Sequence, residues 1–273
     1  MESKIAKAIG SKYNPVAVVL ADDKPENAQG FKPGKWGCVM FLFANAARGK
    51  IAAIDAQTYG CWGGGVGLGF GNAYEQFPGG VDCFTRFLSS GNKQWEKGRQ
   101  VGEGFAGAAG KEFADDFLEG ERYLKGPELV DQWLEDLPIM EIRSRYVLFK
   151  PLSDTDPVAD NPENVVFVVD ADQLSALVVL ANYGRQGMEN VIIPQAAACQ
   201  LIGILPFNEA KSENPRAVVG LTDISARKSV RKLLGPEYLS FAMPWKMFLE
   251  MESNVEGSFL ERPTWLSLQE SKS

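Results

Sequence analysis

The sequence predicts an α/β fold, with α+β as the admitted variant. It reads as two similar strand-helix-strand halves around a shared central site. Three observations carry this. Short β-branched apolar runs of strand length recur along the chain. Apolar stretches rich in helix formers separate them. The parts also come in the same order twice: strand, apolar helix bearing a cysteine, then a strand ending in Asp.

In order, Val16–Ala21 (VAVVLA) reads as a buried strand, followed by the Pro- and Gly-rich loop Lys24–Gly34. Cys38–Ala47 (CVMFLFANAA) reads as a helix that Gly49 can stop. Lys50–Ala56 (KIAAIDA) is strand-like and enters a glycine loop. Glu96–Glu119 reads as a helix weakened by Gly98, Gly102, Gly104, Gly107 and Gly110, a spacing that points to close packing against another backbone. Arg145–Lys150 is a strand, and Ser153–Glu163 a turn-rich connector. Val165–Asp170 (VVFVVD) is a strand, and Ala171–Asn182 a helix led by acidic residues. Pro194 opens the helix Gln195–Ile204, which carries Cys199. Ala217–Asp223 is a strand, Ser225–Leu234 a basic helix and Ser240–Met243 extended. Pro244 then sits as the first residue of the helix WKMFLEMES.

The expected organisation is an N-terminal half, 1–152, with the glycine loop, and a C-terminal half, 153–260, packed against it. A tail follows at 261–273, and the whole forms one compact unit. Cys38 precedes Asp55 by 17 residues and Cys199 precedes Asp223 by 24. A degenerate duplication would place the two cysteines at equivalent positions.

The chain has 273 residues, 45% hydrophobic and 23% charged, with a net charge of −7. That balance argues against nucleic acid as a partner. The basic cluster Ala226–Lys232 reads as a solvated helix face. No 18-residue apolar run and no leader-like N-terminus are present, so the expectation is a cytoplasmic protein with no membrane partner and reduced thiols. A small-molecule or redox partner stays unspecified, and a homo-oligomer is compatible with the composition.

Histidine is absent. This excludes Ser-His-Asp and Cys-His catalysis, His-ligated zinc and His-ligated haem. Asp55 and Asp223 end strands, where they read as turn or capping residues.

The stretch Tyr59–Gly71 (YGCWGGGVGLGFG) holds seven glycines in thirteen residues. Neither the dinucleotide fingerprint nor the P-loop register fits it. Its head is Cys61, and backbone N–H groups freed by glycine would stabilise a thiolate or bond to cluster sulfur. Cys38, Cys61, Cys83 and Cys199 are separated by 23, 22 and 116 residues, with no CxxC pair. Three of them sit beside glycine turns.

The combination of GCVM, AARGK, CWGGGVGLGFG, AACQ and FAMPWKMFLE resembles domain of unknown function 169, an uncharacterised family common in anaerobic archaea and bacteria. The likeness runs from about Ile5 to Ser253. It implies that the elements around Cys38, Cys61 and Cys199 are family features, and it favours an oxygen-sensitive cofactor.

The leading expectation is a 4Fe–4S protein of anaerobic metabolism with a redox or electron-transfer role. Cys38, Cys61, Cys83 and Cys199 would ligate the cluster. Trp36, Trp62, Gly63, Gly64, Gly65 and Gly67 would line it, with Phe84 helping to exclude water. One alternative is a small-molecule or cofactor-binding protein without a cluster, with Cys61 as a reactive thiol. Trp36, Trp62, Phe70 and Tyr74 would line its pocket, and Arg48, Arg227 and Lys228 would hold an anionic group. A second alternative is a structural zinc held by the same four cysteines.

Overall fold

The computed structural model describes residues 1–108 and 110–270. In chain order the first elements are α1 (Lys4–Ala8), β1 (Val16–Ala21), α2 (Val39–Ala47), β2 (Ala52–Asp55) and α3 (Trp62–Gly67). Next come α4 (Val81–Phe87), α5 (Glu96–Ala108), α6 (Lys111–Glu119), α7 (Pro127–Asp136), β3 (Tyr146–Pro151) and β4 (Asn164–Val169). The chain ends with α8 (Ala171–Tyr183), β5 (Val191–Ile192), α9 (Ala198–Ile202), α10 (Ile204–Glu209), β6 (Ala217–Gly220), α11 (Ile224–Leu234), β7 (Leu239–Pro244), α12 (Trp245–Ser253) and α13 (Pro263–Glu270). The fold class is mixed α/β, as the strand pattern predicts.

Two compact units divide the chain: Met1–Phe70 with Glu141–Ser273, and Gly71–Met140. The connector Ser153–Glu163 therefore lies inside the first unit, where Glu163 donates its N–H to the Val18 carbonyl.

In the first unit, seven strands form one sheet in the order β2-β3-β1-β4-β7-β6-β5. Every neighbouring pair is antiparallel except β5 and β6. The order reads alike on either side of the β1–β4 pair. On one side the later strand β3 lies between β1 and β2; on the other, β7 lies between β4 and β6. Since β1 and β4 are antiparallel, the strand order and directions are those that a half-turn normal to the sheet would give, with β1 matched to β4, β2 to β6 and β3 to β7.

Side chains alternate between the two faces of a strand. Ala17, Val19, Leu148, Val165, Phe167, Val169, Val219 and Phe241 enter one core together with residues of α1, α8, α12 and α13. The other face takes Val18, Ile54, Phe149, Val166 and Val218, all buried, and there the Phe149 ring meets Phe43 of α2 edge-on at 5.9 Å. Both faces are covered, which is why β4 reads as an unbroken apolar run and not as an alternating one.

The expected tail is partly core. Trp265 on α13 is 5% exposed and its indole N–H donates to the Ala8 carbonyl at 2.9 Å; residues 271–273 lie outside the described residues. Pro244 closes β7 and caps α12 instead of opening it.

The second unit is built on packed aromatic rings. Phe77 packs against Phe84, Phe87, Phe105 and Phe117, with ring centroids 5.3–6.4 Å apart. The expected helix Glu96–Glu119 is two, α5 and α6; Ala109 lies outside the described residues, and Gly110, at φ +91°, starts the second. A Cβ at Gly98 would stand 2.7 Å from the Asn92 backbone oxygen and one at Gly102 2.7 Å from the Leu118 side chain, whereas Gly104 and Gly110 have nothing within 4 Å, so only part of the glycine spacing serves close packing.

Phe167 lies at the centre of the sheet and is fully buried. Phe167→Ala should cost about 3–5 kcal/mol of unfolding free energy, read from the urea midpoint at unchanged slope.

Candidate functional site

On the sheet face opposite α8 and α12, helix starts bring the chemistry-bearing residues together. Cys38 is the N-cap of α2, with extended backbone. Cys61 is the N-cap of α3, and its sulfur accepts the Gly64 N–H at 3.3 Å. Cys199 is the second residue of α9. Asp223 is the N-cap of α11, accepting from the N–H groups of Ser225 and Ala226. Helix α3 packs against α9, α11 against α2, and α2 against α9.

Short contacts fix this arrangement. The Cys199 thiol donates to the Gly63 carbonyl at 3.0 Å. Asp223 Oδ2 accepts the Ala198 N–H at 3.1 Å, which ties the start of α11 to the start of α9. The Asn164 amide donates to the Ile202 carbonyl at 3.0 Å and anchors α9 to the sheet.

The glycine stretch is a helix, not a loop. Residues 62–67 are α-helical, and Gly65 donates its N–H to the Cys61 carbonyl. Glycine disfavours helix by about 1 kcal/mol per residue against alanine, so close packing must hold this one. Gly67 shows how: a Cβ there would lie 2.7–2.8 Å from the Cys199 carbonyl carbon, the Cys199 sulfur and the backbone nitrogen of Gln200. Only a residue without a side chain lets the two helix backbones touch. At Gly60, φ is +75° and a Cβ would strike the Gly37 carbonyl, which keeps the segments before α2 and α3 in contact.

Among the expected lining residues, Gly63 and Gly64 contribute first-turn N–H groups facing the Cys61 sulfur. Gly65 and Gly67 are buried in the helix. Trp36, 48% exposed, packs against Trp62 at a tilt of 56°, with ring centroids 4.9 Å apart. Cys83 belongs to the second unit. It lies fully buried on α4, and its charged neighbours there are Lys97, Asp82 and Arg86. Asp55 forms the expected turn, bonding Gln57 and Thr58. Arg227 donates to the carbonyls of Leu221, Tyr238 and Pro236.

All four cysteines are free thiols. Three of them feel one another. Desolvation, then the charge of Cys38, pushes the Cys61 thiol up to about 12, against the pull of the Gly64 N–H. Cys199 is raised well above its ordinary value by burial, then by Cys61, Cys38 and Asp223. Burial raises Cys38 too, partly offset by the Met40 N–H and the Ser229 hydroxyl. The N–H groups around Cys61 do favour its thiolate, as the glycine content predicts, but desolvation and like charge outweigh them.

Among the described residues, no three or more Cys, Asp or Glu side chains stand where one metal ion could hold them. No described helix is long and apolar enough to cross a membrane. The family model DUF169, described as "Uncharacterised ArCR, COG2043", matches residues 4–254. No curated protein and no solved structure matches the chain.

Gly67→Ala should cost about 1–3 kcal/mol by overpacking α3 on α9, measured by chemical denaturation. The thiol of Cys61 gives a pH signature. The unfolded chain releases that proton near 9.0, the folded chain near 12. Between these values the unfolded state binds fewer protons, so the stability of the metal-free protein is full below pH 9 and falls as pH rises through that window. Cys61→Ser should flatten this decline relative to the parent in denaturation midpoints measured across it.

Proposed function

The chain belongs to the DUF169 family, and on that premise we propose that it is an iron–sulfur protein with a redox or electron-transfer role. Cys38, Cys61 and Cys199 hold the cluster. The observation that carries this reading is the convergence of three thiols from three separate helix starts, with mutual repulsion once ionised. Such a group is poor as a set of thiolates alone. A bound cation inverts the balance, since coordination deprotonates thiols and compensates their charge.

The donor set fits a cluster better than zinc. Four sulfurs around one zinc, at bonds of about 2.3 Å, must crowd within roughly 4 Å of each other. In a cluster each cysteine meets a different iron, so the ligands stand further apart around a larger body. Three thiols that start separate helices, α2, α3 and α9, would meet such a body from different sides. The N–H groups of Gly63 and Gly64 would bond to sulfur and help set the reduction potential. Trp36 and Trp62 would limit water at the same end.

A reactive Cys61 is less favoured, because its proton is held and not released. An anion site using Arg227 loses support because that guanidinium is committed to backbone carbonyls. Location in a reducing, cytoplasmic compartment of an anaerobe suits an oxygen-sensitive cluster of this kind.

The test is anaerobic reconstitution with iron and sulfide, followed by metal and sulfide analysis and a visible spectrum. The parent and Cys83→Ser should both be coloured and carry stoichiometric iron and sulfide, whereas Cys61→Ser should lose most of both. A colourless parent without stoichiometric iron or sulfide would rule the reading out.

A further inference from the structure

Three cysteines leave one corner of a four-iron cluster without a thiolate. We infer that Asp223 supplies the fourth ligand, so that one iron is held by a carboxylate oxygen. This deepens the cluster reading and rests on it.

The arrangement of the sheet and its helices supports this assignment. The matching of β1 with β4 and β2 with β6 pairs the helices as well. Helix α2 lies between β1 and β2 in sequence, and α9 lies between β4 and β6, so the starts of α2 and α9 correspond, with Cys38 the N-cap of one and Cys199 the second residue of the other. Helix α3 follows β2, and α11 follows β6. Their N-caps are Cys61 and Asp223. The packing obeys the same rule: α3 of the first set lies on α9 of the second, and α11 of the second lies on α2 of the first. Two pairs of corresponding helices thus carry these four side chains at, or within two residues of, their N-caps. Three are thiols and the fourth is a carboxylate.

Local contacts place Asp223 with the thiols. Its Oδ2 accepts the N–H of Ala198, the residue next to Cys199. Ser229, further along the same helix, donates its hydroxyl to the Ser225 carbonyl at 3.1 Å and helps to lower the Cys38 thiol. The two carboxylate oxygens are not alike. Oδ1 takes the Ser225 N–H at 3.0 Å, the Ser225 hydroxyl at 2.8 Å and the Ala226 N–H at 3.1 Å, which fills it. Oδ2 takes one hydrogen bond, from Ala198 at 3.1 Å, and keeps a lone pair for a metal. Capping and ligation are therefore compatible, one oxygen serving each. Carboxylate is a hard ligand beside three soft thiolates, so the iron it holds is the most easily lost of the four.

The experiment compares the full-length parent, Asp223→Cys and Asp223→Asn after anaerobic reconstitution. Each is treated with ferricyanide and a chelator, then assayed for iron, sulfide and its electron paramagnetic resonance spectrum. In the parent, one iron should leave as Fe²⁺ while one electron passes to ferricyanide, leaving a three-iron cluster with its own resonance signal. Asp223→Cys should keep all its iron through the same treatment. Cysteine is tolerated as an N-cap at the equivalent position, as Cys61 shows. Asp223→Asn preserves the cap and should come out of reconstitution already short of one iron.

Equal iron loss from the parent and Asp223→Cys would overturn the inference, as would a parent that keeps every iron. A Cys83→Ser variant that assembles short of one iron would give the fourth position to Cys83, overturning the role of Asp223 while leaving the cluster standing. A parent that takes up no iron at all would remove the cluster and this inference together.

Discussion

The contact on which the site depends is the crossing of α3 over α9 at Gly67. With no Cβ at that position, the α3 backbone rests directly on the backbone of Cys199. A helix of six residues, four of them glycine, has no intrinsic reason to form. It forms because α9 is fixed to the sheet through Asn164 and because its own cap, Cys61, closes the first turn through Gly64. The same crossing brings the Cys199 thiol to the Gly63 carbonyl and sets the two sulfurs on one side of the sheet. Glycine here acts by being thin.

The electrostatics follow from that closeness. Thiols drawn together away from water hold their protons, and each ionised neighbour makes the next ionisation harder. Protein groups on hand to offset this are dipolar: the N–H groups of Gly63, Gly64, Met40 and Phe41, and the Ser229 hydroxyl. Dipoles soften the repulsion without cancelling it. The proposed metal cluster would supply the charge that the dipoles do not, and its sulfurs would accept the same N–H donors. On the proposed reading, the raised thiols are suited to a cationic cofactor and not to a free nucleophile.

Much of the fold is legible in the sequence, because β1, β3, β4, β6 and β7 are largely buried on both faces and so read as apolar runs. Apolar helix formers make α2 visible, and the acidic N-caps Asp170 and Asp223 mark α8 and α11. Helices α1, α4 and α7 go unread, although Ser3 caps α1 and Pro127 opens α7, and the fold of Gly71–Met140 into its own unit leaves no boundary in composition. The turn-rich Ser153–Glu163 draws the division instead, yet it only carries the chain back alongside β1. The glycine helix reads as a loop because propensity is local and the α9 backbone that overrides it is 132 residues away, counting from Gly67 to Cys199. At the site, Cys38, Cys61 and Cys199 are legible from their glycine and helix-start settings. The grouping with Cys83 comes from counting cysteines, and spacing in one dimension cannot say which unit a residue enters. Asp223 reads as a cap and is one. Nothing in the sequence tells that a second oxygen of the same carboxylate faces the start of α9.

The most direct test of the proposed centre is an anomalous diffraction map at the iron edge, from crystals of the anaerobically reconstituted protein. One compact iron peak is expected, bounded by Cys38, Cys61, Cys199 and Asp223, at the starts of α2, α3, α9 and α11. A reconstituted crystal with no iron at that position, or with its iron elsewhere on the chain, would contradict it.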